Sequence, residues 1–275
     1  MSHGSDILHL PYLPPWNWQQ FQRYFALRLL PGVEILDADG YCRSLRIGPV
    51  TGWLAVRPQP EQHCLAVQIS PSAQSISAAL VTRVRRMFDL DADPQAIAAH
   101  FSTDAVLGPL VAANPGLRLP TAFDPFEQAV RAIIGQQVTV KAAVTITNRL
   151  VARLGEPLPD APVGGPQRLF PTPERLTDAD LSAIGMPTKR VLALQHLATA
   201  VADGSFELHV EDGADALVKR LCSLPGIGPW TAEYIALRGF GAADAFPAAD
   251  LGLLKSPVWG PGGISAKALK RRAEA

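Results

Sequence analysis

The hydrophobic pattern of residues 7–112 changes period several times. Phe21, Phe25, Leu29 and Leu30 fall at helical spacing behind Pro14-Pro15-Trp16-Asn17-Trp18 and predict one helix. Three runs then read as strands. Residues 41–47 alternate in part, Trp53-Leu54-Ala55-Val56 is apolar, and residues 64–69 alternate with period two. Gly48-Pro49 and Arg57-Pro58-Gln59-Pro60 read as breaks between these runs. Together they predict a small antiparallel sheet, followed by an arginine-rich helix over about 78–88.

Residues 113–275 show helical periods and few strand signals. Asp124-Pro125-Phe126-Glu127 reads as a helix start, with Asp124 as cap, Pro125 in the first turn and Glu127 completing a capping box. Phe126, Val130, Ile133 and Ile134 give that helix one apolar face. Gly135-Gln136-Gln137 interrupts it, and a second helix runs to about Leu154, before Gly155. Residues 155–173 are rich in Pro and Gly and read as a surface loop. Residues 181–200 form another amphipathic pair around the turn Gly185-Met186-Pro187. The fold class is therefore α+β, with a small antiparallel α/β domain over 1–112 and an all-helical domain over 113–275.

Composition narrows the function classes. The 275 residues are 48% hydrophobic and 18% charged, which is globular rather than disordered. No apolar run approaches the roughly 20 residues of a bilayer span, and Met1 to Asp6 does not open a signal peptide. Cys42, Cys64 and Cys222 are too few and scattered for a disulfide framework, so a reducing, cytoplasmic location is expected. The histidines and cysteines form no metal-ligand spacing, and no cofactor is expected. Acidic and basic residues balance at 25 each, so any nucleic-acid surface must come from local clustering.

The informative stretch is Leu221 to Lys255, with the helix before it. Ala214, Leu217, Val218, Leu221 and Cys222 form one buried helical stripe. Leu224-Pro225-Gly226-Ile227-Gly228 is a tight turn, and Pro229 opens a second helix through Tyr234 and Leu237. The glycines allow close backbone approach, and unpaired N–H groups at the second helix start favour an anion. Such a hairpin, with Thr231 in its first turn, can grip a DNA backbone without reading bases. A dinucleotide fingerprint does not fit, because Thr231 stands where a third glycine is needed and a helix, not a strand, precedes. Taken alone, the turn reads equally as an ordinary helical corner. After it, residues 239–253 form a loop in which Asp250 stands at a helix start.

Hairpin, Gly/Pro-containing loop and acid at this spacing resemble the helix-hairpin-helix DNA glycosylases, the HhH-GPD superfamily. The chain is most similar to their AlkA type, the DNA-3-methyladenine glycosylase II family. The resemblance extends over Pro14-Pro15-Trp16-Asn17-Trp18, residues 115–120, residues 126–137, Phe170-Pro171-Thr172-Pro173, residues 185–190 and residues 224–239. It implies an α/β domain beside two helical subdomains, with the active-site cleft between the helical parts. It implies double-stranded DNA with alkylated bases as partner, a monomer, and hydrolytic removal of purines alkylated at N3 or N7. On the resemblance, Asp250 is the catalytic carboxylate, stabilising a sugar with oxocarbenium character.

A purine alkylated at those nitrogens is cationic and already a good leaving group. The pocket then needs electron-rich rings more than an acid. Trp230 and Tyr234, four apart on one helix face, are expected to line it. Tyr24 and Trp18, or Trp16, match aromatic positions of the family's N-terminal segment. Trp230 occupies the position of the Schiff-base lysine of strand-cleaving relatives, so a monofunctional enzyme is expected. Gln137 falls at the tip of the family's wedge loop, which fills the hole left by the extruded base. Relatives hold a monovalent cation on hairpin backbone carbonyls. Lys255, Lys267, Lys270, Arg271 and Arg272 form a basic cluster that reads as a phosphate contact or a solvated face. The family pattern continues with a Trp/Arg-rich helix beyond the point reached at Ala275, and residues 256–263 depart from it. A catalytically impaired DNA-binding form, or a glycosylase for another lesion, is the alternative.

Overall fold

The computed structural model describes residues 7–274; the segment from Met1 to Asp6, on which the signal-peptide reading rests, lies outside the described residues. Five antiparallel strands form one sheet: β1 (Ile7–Pro11), β2 (Glu34–Leu36), β3 (Tyr41–Ile47), β4 (Val50–Gln59) and β5 (Cys64–Ile69), in the order β1-β5-β4-β3-β2. Gly48-Pro49 is the expected turn, with Ile47 paired to Val50 and Gly48 at φ 56°. The expected break at Arg57-Pro58-Gln59 is instead strand. Pairing with β3 stops at Val56, so beyond it one side of β4 is an edge, where proline's missing N–H costs no ladder bond.

Helix α1 (Trp18–Ala26) ends before Leu29, so the expected stripe through Leu29 and Leu30 breaks. Leu30 is buried with Val33 and Val151 in a small cluster that joins this segment to a later helix. Helix α2 (Ser77–Met87) covers one face of the sheet through Leu80, Val84 and Met87. Phe21, Phe25, Tyr41, Phe88 and Phe123 complete this first core. Helices α3 (Pro94–Phe101) and α4 (Leu107–Ala113) were not anticipated. Both are short and largely exposed, with only two or three large apolar residues each at helical spacing, although Asp93-Pro94 repeats the cap chemistry of Asp124-Pro125.

The second core is helical. It packs α5 (Pro125–Ile134), α6 (Val140–Leu154), α8 (Thr188–Ala202), α9 (Ala214–Cys222) and α10 (Pro229–Phe240), with α7 (Pro173–Thr177) at its margin. Two short helices follow, α11 (Leu251–Leu254) and α12 (Ala266–Ala273). Of the predicted stripe on α9, Leu217 and Leu221 are fully buried and Cys222 is exposed.

The capping box at α5 is only half formed. Asp124 accepts from the Glu127 N–H at 3.0 Å, but the Glu127 side chain is buried and turns away. It accepts from Arg43 of β3 at 2.7 Å and from Arg131 at 2.5 Å. Arg131 also donates to Glu34 of β2 at 2.9 Å, and the Tyr41 hydroxyl donates to Glu34 at 2.6 Å. Two guanidiniums and two carboxylates thus neutralise one another where the sheet meets α5. Burial alone would push the Glu127 carboxyl up; Arg43 and then Arg131 outweigh it and hold it below its usual value. Arg131 donates further to the Arg28 carbonyl at 2.8 Å, which fixes the end of α1 against the helical core.

Candidate active site

The hairpin between α9 and α10 takes the shape that its glycines require. Gly226 has φ 85°, and a Cβ there would stand 2.4 Å from the Ala193 Cβ of α8. Gly228 caps α10 without any side-chain bond, and Pro229 has no N–H. The N–H groups of the helix's first turn therefore face outward, beside exposed Pro225, Gly226 and Gly228. Leu224 is half-buried, and Ile227 is buried and anchors the turn from below. Thr231 is also buried, and its hydroxyl faces protein rather than solvent. The Leu224 and Gly226 carbonyls each accept one hydrogen bond, from Ile227 N–H and Gln136 Nε2. Each keeps a second lone pair, so the donor chemistry fits a weakly held monovalent cation.

Beyond α10 the chain turns at Gly241 (φ 67°) and loops back. Glu233 on α10 accepts from the Phe246 N–H at 3.0 Å and pins the loop. The loop delivers Asp250 as the cap of α11, where one carboxylate oxygen accepts from Gly252 N–H at 2.8 Å and Leu253 N–H at 3.3 Å. The other oxygen accepts from the Trp230 indole N–H at 3.0 Å. Both oxygens are thereby oriented, and the one bonded to Trp230 keeps a free lone pair. A plain helix cap needs only the first oxygen; the second bond ties Asp250 to the face of α10.

Trp230 and Tyr234 share that face as a stacked pair, ring centres 5.3 Å apart and 20° between planes. Tyr24 of α1 joins them through two arginines. The Arg28 guanidinium lies 4.1 Å from the Tyr24 ring centre and reaches the Tyr234 hydroxyl; Arg238 lies 5.1 Å from the same ring. Burial, then Tyr24, push the Tyr234 phenol above its usual value, against the opposing pull of Arg28 and Arg238. Trp18 shows no ring contact with Trp230 or Tyr234 among the described residues. It stacks on Trp16 at 5.9 Å, tilts against Phe88 and packs on the first core. The structure thus joins Asp250 to the Trp230–Tyr234 stack and links Tyr24 to Tyr234 through Arg28, while Tyr24 and Trp18 both also pack against the first core.

Arg28 and Glu233 escaped the sequence reading. Arg28 stands four residues after Tyr24 on the same turn, which is the one signal that could have linked them. Gln137 projects from the turn between α5 and α6, exposed and at φ 54°, a left-handed backbone that a non-glycine residue adopts at a cost of about 1 kcal/mol. The basic cluster divides. Arg272 binds Asp104 at 2.5 and 2.6 Å and lies over Trp259, while Lys267, Lys270 and Arg271 stay exposed on α12. A cavity of about 240 Å³ lined by Arg43, Arg46, Arg83, Phe123 and Phe170 shares no lining residue with the Asp250 cluster.

Residues 7–124 match the AlkA N-terminal domain, and residues 130–256 match the HhH-GPD superfamily base excision DNA repair protein. The chain is 40% identical over 240 residues to DNA-3-methyladenine glycosylase 2 of Escherichia coli, covering 86% of this chain and 82% of the relative. Its fold is similar to that of the 3-methyladenine DNA-glycosylase from Archaeoglobus fulgidus, with a TM-score of 0.82, 22% identity, and 98% and 91% of the two chains covered. It also resembles a 3-methyladenine DNA glycosylase of Schizosaccharomyces pombe in complex with abasic DNA, with a TM-score of 0.54, 26% identity, and 65% and 88% covered. Among the described residues no helix is long and apolar enough to cross a membrane.

Proposed function

This chain belongs to the DNA-3-methyladenine glycosylase II family of HhH-GPD base-excision repair enzymes, and from that membership we propose how its own residues excise an alkylated base. The outward N–H groups at the start of α10, just after the Gly226–Gly228 turn, hold a backbone phosphate of damaged double-stranded DNA. A monovalent cation on the Leu224 and Gly226 carbonyls would add positive charge there. Gln137 enters the stack and the damaged base swings out. Its cationic ring lies against the Trp230–Tyr234 stack, with Tyr24 beside it.

Asp250 then faces the sugar. The C1′–N bond breaks and its electron pair goes to the base, which leaves neutral. Positive charge develops on the sugar, next to the fixed carboxylate. Water adds to C1′ and loses a proton, giving an abasic site. Trp230 offers no amine, so the reaction is hydrolytic and ends without strand cleavage. The observation that carries this reading is the Trp230–Asp250 hydrogen bond, which joins the aromatic pair to the acid. The division at residue 112, action as a monomer and work on cytoplasmic DNA complete the proposal.

The test is incubation of the purified chain with dimethyl-sulfate-treated duplex DNA. Released 3-methyladenine and 7-methylguanine, with strands that break only after alkali, are expected. Strand cleavage without alkali, or no released base, would contradict the reading.

A further inference from the structure

Gln136, beside the proposed wedge, is tied to the opposite side of the DNA-facing surface. Its side-chain amide donates one hydrogen bond to the Gly226 carbonyl at 3.1 Å and another to the Thr231 hydroxyl at 3.0 Å. Both amide hydrogens are used. Both acceptors belong to the hairpin, 90 and 95 residues further along the chain. No other side-chain bond described here joins the turn between α5 and α6 to the hairpin.

The surroundings show why this bond matters. From its own side the turn is anchored at Gly135, whose N–H meets the Arg131 carbonyl at 2.9 Å, but beyond it the bonds lengthen: Gln136 N–H meets the Ile133 carbonyl at 3.3 Å and Val138 N–H meets the Gly135 carbonyl at 3.4 Å. Gln137 follows in the left-handed region, which a glutamine does not choose by itself. The hairpin, by contrast, is rigid. Gly226 is packed against Ala193, Ile227 is buried, and the Thr231 side chain is buried. Gln136 therefore transfers the position of a rigid element to a weakly held one. With its side chain directed into the hairpin, the next residue is thrown outward, as Gln137 is.

We infer that Gln136 is a positioning residue that sets the wedge at a fixed distance and angle from the phosphate grip. The inference rests on the proposed roles of Gln137 and of the hairpin. The hairpin docks on the backbone without reading bases, so the wedge must find its step in the stack from that docking point alone. A turn free to shift would spread Gln137 over several positions. Base extrusion would slow, while phosphate binding and chemistry at Asp250 would be spared.

The test is a double-mutant cycle with Gln136→Ala and Gln137→Ala. Single-turnover excision of 7-methylguanine is measured in two duplexes, one with cytosine opposite the lesion and one with an abasic-site analogue opposite it. In the second no base pair has to be broken. Each single variant is expected to slow excision from the paired duplex about tenfold, the scale of two lost hydrogen bonds. Neither is expected to change the unpaired duplex more than about twofold. The double variant should be no slower than the slower single one, because both act through one wedge.

Multiplying effects, or equal slowing on both duplexes by Gln136→Ala, would overturn the inference and leave the wedge standing. Unchanged paired excision by Gln137→Ala would overturn the wedge reading itself, and the inference with it. Gln136→Glu keeps the chain length and removes both donors, so it should reproduce Gln136→Ala. A Gln136→Glu variant that excises at the parental rate would also overturn the inference.

Discussion

Replacing Arg43 by methionine tests the ion cluster that holds the sheet against α5. Arg43 is buried, donates to Glu127 at 2.7 Å, lies 3.8 Å from Glu34 and stacks 4.6 Å from the Phe123 ring centre. Methionine keeps much of the volume, so the change is chiefly one of charge. Glu34 and Glu127 then face Arg131 alone, and one buried negative charge is left without a partner. Breaking one member of a buried pair costs about 3–5 kcal/mol. For a chain of this size that lowers the melting temperature by roughly 10 °C. The pH dependence gives the second signature. In the parent, the folded-state value of Glu127 is lowered, so its contribution is complete above the ordinary value of 4.5 and is lost only as pH falls through the lowered one. Without Arg43, burial raises that value, so the folded form binds a proton more readily and the variant gains stability as pH falls. Thermal unfolding followed by circular dichroism should therefore show a smaller gap between parent and variant at pH 5.5 than at pH 7.5. Adding Glu127→Gln to the variant should restore most of the loss at pH 7.5. A drop below about 2 °C, or a gap that widens on acidification, would refute the reasoning.

Three further substitutions probe the site. Gly226→Ala places a methyl group 2.4 Å from the Ala193 Cβ at φ 85°, so the melting temperature should fall by about 5 °C and affinity for undamaged duplex should drop; Ala193→Gly in the same chain should return part of both. Tyr234→Phe keeps the stack on Trp230 and removes the hydroxyl that Arg28 reaches, so single-turnover excision should slow about threefold, against a far larger loss for Tyr234→Ala. Trp230→Phe keeps a ring on that face and removes the indole donor to Asp250, so excision should slow about tenfold with unchanged binding of undamaged DNA.

What the sequence disclosed follows from the range of the interactions involved. Asp124, Asp250 and the glycines of the hairpin act on backbone within a few residues, and their positions could be read directly. Glu127 was misread for the same reason. Three residues after a cap, it has the local form of a capping box, but Arg43, 84 residues earlier, competes with a charged donor and wins. Arg28 and Gln136 likewise take their meaning from partners that only the fold brings near. Pro58 looked like a strand end because a proline costs a ladder bond, and the local pattern does not reveal that its neighbour β3 has already stopped. Trp18 and Tyr24 lie on one short helix and both pack against the sheet core, but only Tyr24 also meets Arg28 and Arg238, a distinction that the local pattern does not carry.

The central claim is that the Asp250 carboxylate, held by Trp230 and by the start of α11, stabilises the sugar cation. The most direct measurement is single-turnover release of 7-methylguanine by the parent and by Asp250→Asn. Asparagine caps a helix as well as aspartate does, so the fold and the affinity for undamaged duplex should persist. Loss of the charge should slow release by about 10²–10³-fold. A variant that folds, binds DNA and releases base within tenfold of the parental rate would contradict the account.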